Sequence, residues 1–131
     1  MTVSDADADA RTQRVRTTVH AYLDAVAAGV AADIAALYAE DATLEDPVGS
    51  EPRVGRAAIA EFYKGVEATE NTTELLTLRI GGSTAAFHFR VVTKAGEQTY
   101  EIEPIDIMTF DDEGRITSMR AVWAPSDMRV R

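Results

Sequence analysis

Apolar residues recur at helical spacing through Val15, Val19, Tyr22, Leu23 and Val26, and Gly29 closes the stripe, which predicts a long first helix with one buried face. Asp5, Asp7 and Asp9 precede it and favour a helix N-terminus by opposing the dipole. A second, shorter apolar face of Ile34, Leu37 and Tyr38, and a third of Ile59, Phe62 and Tyr63 after Gly55, lie in alanine-rich stretches and predict two more helices. Between them the period changes to two. Ala42, Leu44 and Asp46 fall on one face of a short strand, Thr43 and Glu45 on the other, and Pro47 removes the next ladder donor.

After Lys64, residues 65–73 are polar and predict a loop. Leu76, Leu78 and Ile80 then alternate, Gly81-Gly82-Ser83 makes a turn, and Phe87, Phe89 and Val91 share a face opposite His88, Arg90 and Val92. Ala95-Gly96 offers the next turn, residues 100–110 a long strand, 111–114 a hairpin and 116–123 the last strand. Helices followed by antiparallel strands make an α+β domain with the sheet curled over the long helix. Residues 1–10 are expected to form a frayed N-terminal extension and 11–131 a single domain.

Two acids stand out against this pattern. Asp46 sits at the inner end of its strand on the apolar face, where a carboxylate must be hydrogen-bonded, neutral or used. Asp106 shares a face with Met108 and Phe110, and Met119, Ala121 and Trp123 have the matching parity on the paired strand. Desolvation there disfavours the charged form and lets Asp106 donate a hydrogen bond. Each has a bland reading: Asp46 as a strand-end carboxylate, Asp106 as an acid satisfied by an edge or a backbone donor, Tyr22 as a packed side chain with its hydroxyl tied off. Together, two acids and three tyrosines on inward faces exceed what a passive core needs.

The 131 residues carry 22 acids against 13 Lys and Arg, a net charge of -9, which argues against nucleic-acid or anionic-membrane partners. There is no cysteine, so no disulfide or thiolate metal site, and His20 and His88 stand apart from the acids. No spanning segment or leader is legible, and the cytoplasm is the expected compartment. Val92, Ile105 and Ile107 on the outer sheet face predict a homodimer.

The run Tyr38-Ala-Glu-Asp-Ala-Thr-Leu-Glu-Asp-Pro-Val-Gly-Ser-Glu-Pro-Arg53, followed by Gly55-Arg56 and Glu61-Phe62-Tyr63, closely resembles the bacterial steroid Δ5-isomerases, or ketosteroid isomerases. Pro104-Ile105-Asp106 and Ser118-Met119-Arg120-Ala121 match the same family in the same order. The resemblance implies an NTF2-like, SnoaL-like cone: a curved mixed or antiparallel sheet wrapped around three N-terminal helices, with an apolar pocket. It implies Asp46 as general base, Tyr22 and protonated Asp106 as donors to a dienolate oxygen, and Tyr38 and Tyr63 as an extension of the tyrosine network. Phe89, Met119, Ala121 and Trp123 would wall the cavity. The implied substrate is a small apolar ketone, a 3-ketosteroid, with no metal, nucleotide or flavin required. Two alternatives stay open: a SnoaL-like polyketide cyclase and a non-catalytic small-molecule-binding module of the same fold.

Overall fold

The computed structural model describes residues 5–131. Helix α1 (Asp5–Ala28) carries the foreseen stripe: Val15, Val19, Tyr22, Leu23 and Val26 are all buried. Gly29 ends it with φ at 74° and its N–H on the Ala25 carbonyl at 3.0 Å, a left-handed closure that side chains with a Cβ disfavour. The expected frayed extension falls partly on residues 1–4, which lie outside the described residues; from Asp5 onward the chain is helical.

Helix α2 (Ala31–Ala35) is shorter than its apolar pattern suggests. Leu37 and Tyr38 do not continue it. The Leu37 carbonyl accepts the Ile116 N–H at 3.0 Å, and Tyr38 opens strand β1 (Tyr38–Glu45), so pairing with the far end of the chain overrides local helix propensity. Arg56 fixes that start by donating from Nε and Nη2 to the Tyr38 carbonyl, at 3.1 and 2.8 Å. Strand β2 (Arg53–Val54) returns antiparallel to β1, and helix α3 (Arg56–Tyr63) buries Ile59 and Tyr63.

The polar loop ends earlier than its composition suggests. One 3-10 turn follows α3, and strand β3 (Glu70–Gly81) begins within the stretch read as loop. Its inward residues here are polar, so no apolar alternation marks them: Thr73 Oγ1 donates to the Leu23 carbonyl at 3.0 Å, and the buried Asn71 amide donates to the Val66 carbonyl at 3.1 Å while Oδ1 accepts from Thr93 at 2.9 Å. A bulge between Leu75 and Thr77 then shifts the phase, so Leu75, Leu78 and Ile80 pack on the core where Leu76 was expected.

Strand β4 (Thr84–Ala95) is the spine of the sheet, paired along its length with β3. The single long strand expected over 100–110 is two. Strand β5 (Gln98–Ile102) pairs with the outer half of β4 and β6 (Ile105–Phe110) with the inner half; Pro104, lacking an N–H, lies in the break. Strand β7 (Ile116–Val122) pairs antiparallel with β6 and parallel with β1, and an unforeseen β8 (Arg129–Val130) adds to β5. The sheet is therefore mixed, ordered β2-β1-β7-β6-β4-β5-β8 with β3 on β4's other edge. Its concave face and the helices enclose the core. Among the described residues, no helix is long and apolar enough to cross a membrane.

Candidate active site

Asp46 follows directly on β1, one residue after the ladder stops at Glu45. The alternation that buries Ala42 and Leu44 turns Asp46 inward too, while Glu45 points out to Arg120, whose Nε donates to it at 3.0 Å. Parallel pairing of β1 with β7 brings the end of the last long strand alongside. There Trp123 Nε1 donates to Asp46 Oδ1 at 2.7 Å. Burial raises the Asp46 pKa from the ordinary carboxylate range, and the indole bond opposes that rise.

Asp106 lies on β6 between Phe87 of β4 and Ala121 of β7, only 1% exposed. Its Oδ1 has no hydrogen-bond partner among the described residues. Burial first, then the charge of Asp46, push its pKa well above the usual carboxylate range. Burial acts on both acids, but only Asp46 has a hydrogen-bond donor that opposes the rise.

Three tyrosines from three elements meet above them. Tyr63 Oη of α3 stands 2.7 Å from Tyr38 Oη of β1 and 3.1 Å from Tyr22 Oη of α1. If Tyr38 donates to Tyr63 and Tyr63 to Tyr22, both bonds are made and the Tyr22 proton stays unused, free to point into the cavity. Burial raises all three phenols well above their ordinary pKa, so they are neutral donors.

A cavity of about 320 Å³ collects these groups, at the lower end of the roughly 300–1,000 Å³ typical of small-ligand sites. Tyr22, Asp46, Tyr63, Phe89, Asp106, Ala121 and Trp123 line it; Tyr38 touches it only through Tyr63. Met119, read as wall, is wholly buried behind it, opposite Leu44 and Met108 in the sheet register. Apolar lining unassigned by the sequence comes from Val26, Val91, Ile102, Pro104 and Met128, and from Phe62, a core residue by pattern. Met128 is the one that left a usable signal, a large apolar side chain set among polar neighbours in the tail. Two acids close to these elements in sequence are engaged elsewhere: Glu103 meets His88 Nε2 at 3.0 Å and Arg90 at 3.3 Å, and Glu67 caps the Ala31 N–H at 3.0 Å.

A half-buried carboxylate, a buried acid whose protonated form is favoured and whose Oδ1 is unfilled, and a phenol able to turn its proton into the cavity can together remove a proton from carbon and hold the resulting oxyanion. Comparison with known proteins shows the family. Residues 19–119 match the SnoaL-like domain family. A steroid Delta-isomerase from Nocardioides simplex is 60% identical over 116 residues, spanning 88% of this chain and 94% of that protein. Among solved structures, the epoxide hydrolase/cyclase-like enzyme SalBIII of pyran-ring formation in salinomycin superposes with a TM-score of 0.84 at 31% identity, over 92% of this chain and 98% of its own. RV0760c from Mycobacterium tuberculosis gives 0.84 at 20% identity, covering 90% and 96%, a likeness of fold. The chain belongs to the SnoaL-like domain family and, within it, to the family of the Nocardioides simplex steroid Delta-isomerase.

Proposed function

We propose that this protein isomerises 3-oxo-Δ5-steroids to their conjugated Δ4 form, with Asp46 as the base and Tyr22 and Asp106 as donors to the dienolate oxygen. The observation that carries the assignment of roles is the unpartnered, buried Asp106 Oδ1 in the same cavity as Asp46. A buried polar atom without a partner costs about 1–3 kcal/mol, a strain that a ligand oxygen would relieve. The substrate ketone enters with its oxygen between Tyr22 and Asp106. Asp46 takes a proton from carbon 4, the electron pair spreads onto the ketone oxygen, and the same carboxyl returns the proton to carbon 6.

A carboxylate is a weak base toward carbon, so most of the barrier falls to donors that strengthen as charge reaches the oxygen. Both donors are neutral and held in place before the substrate arrives, and one base on the ring face serves both carbons. Tyr38 and Tyr63 would feed the Tyr22 hydroxyl by accepting none of its own proton. The cyclase reading draws on the likeness to SalBIII, but a lone donor pair around one oxygen suits an isolated dienolate better than an enolate that must attack a second carbonyl.

The decisive assay mixes androst-5-ene-3,17-dione with the protein and follows ultraviolet absorbance of the enone. Wild type should convert it, and Asp46→Asn should lower kcat on the order of a thousandfold, while a phenolic steroid that imitates the dienolate still binds. Unchanged turnover in Asp46→Asn would remove that residue from the chemistry.

The same proposal includes a homodimer. Ile105, Ile107 and Val122 stand 46%, 36% and 46% exposed on the sheet's convex face, with Ile105 paired opposite Val122. Such a patch suits a second copy of the same surface.

A further inference from the structure

Residues 124–131 are exposed with one exception, Met128, which is half-buried and lines the cavity. The segment is tied on both sides of it. Before Met128, the turn Pro125–Asp127 is closed by Asp127 Oδ2 accepting the Ala124 N–H at 2.8 Å. After it, Arg131 exchanges backbone hydrogen bonds with Thr99 at 2.9 and 2.7 Å, and the Glu101 carboxylate faces Arg129 at 3.7 Å and Arg131 at 3.4 Å.

Burial along the cavity shows which end this is. Tyr22, Tyr63 and Asp106 are almost inaccessible, whereas Gly65 is exposed and Phe62, Val66 and Met128 are half-buried. Met128 therefore borders the open end. A flat ring system with its ketone between the buried Tyr22 and Asp106 leaves its far end toward the open end, which Met128 borders together with Phe62, Gly65 and Val66. The side chain there is unbranched and adaptable, and it is held by a two-residue strand and ion pairs whose arginines stand in solvent. Such an element opens locally at small cost.

We propose that residues 124–131 form a clasp over the open end of the pocket, in which Met128 selects steroids by their bulk remote from the ketone and Glu101 positions it through Arg129 and Arg131. The inference builds on the isomerase reading above.

The test compares kcat/KM for androst-5-ene-3,17-dione, which has no carbon side chain, and pregn-5-ene-3,20-dione, which has one. Met128→Ala should raise the ratio in favour of the longer steroid about tenfold, and Met128→Trp should lower it by a similar factor. Met128→Leu, close in volume, should keep the wild-type ratio. Glu101→Gln should move the ratio in the direction of Met128→Ala, through KM for the longer steroid and not through kcat. Conversion of both steroids with the same ratio in Met128→Ala and Met128→Trp, each unfolding as wild type does, would overturn the clasp and leave the isomerase reading standing. A wild type that converts neither steroid would overturn the isomerase reading, and the clasp with it.

Discussion

As the proposed base Asp46 has to be ionised to act, and two opposed influences decide when it is: burial favours its acid form, the Trp123 indole its carboxylate. Trp123→Phe keeps the apolar wall and deletes the donor, so the pKa rises further. The acid limb of the kcat/KM profile should move to higher pH, which a pH–rate series on the isomerisation would register. Asp106, as the proposed donor, has the opposite requirement and must stay protonated. Its folded pKa lies above the unfolded value, so the native state keeps a proton that the unfolded chain gives up once pH passes the ordinary carboxylate range. Native proton excess means that stability falls as pH rises toward the raised pKa. Asp106→Leu removes this liability. Urea unfolding at about pH 5 and about pH 8, both above the reference carboxylate pKa, should show wild type losing more stability across the interval than Asp106→Leu, while the variant is crippled as a catalyst.

Among the elements, α1, α3 and the hairpin of β6 and β7 were legible because each carries one clean period: Val15 to Val26 at helical spacing, Asp106 to Phe110 alternating against Met119 and Ala121. The acids of the site emerged as exceptions to those periods, which is why both were visible. Tyr38 misled because its neighbours read as helix while its partner, Ile116, lies far along the chain. The start of β3 was hidden because its inward side chains satisfy carbonyls instead of burying hydrocarbon. Asn71 shows the consequence. Asn71→Ala leaves the Val66 carbonyl and Thr93 hydroxyl without this partner, and denaturant unfolding should report a loss of about 1–3 kcal/mol. The turn bearing Gly65 and Val66 forms part of the pocket mouth, so KM should rise as well.

On the scale of the whole molecule, the convex face and the net charge of -9 pull in different directions. Apolar Ile105, Ile107 and Val122 favour association, while two copies of an acidic chain repel each other. Sedimentation should therefore find a dimer that tightens as salt is raised, and Ile107→Glu should shift it to monomer. Loss of association without loss of the single-copy fold would mark that face as the interface.

The parallel pairing of β1 with β7 also governs how the protein comes into being. Asp46 and Trp123 are 77 positions apart, and every strand between them but β2 pairs without the help of β1. Contacts of such separation close loops late and slow the search for the native state. Any fragment that stops short of Trp123 can build the inner hairpins yet leaves Asp46 without its indole donor. The proposed base thus acquires its final environment only once the last long strand has docked against β1.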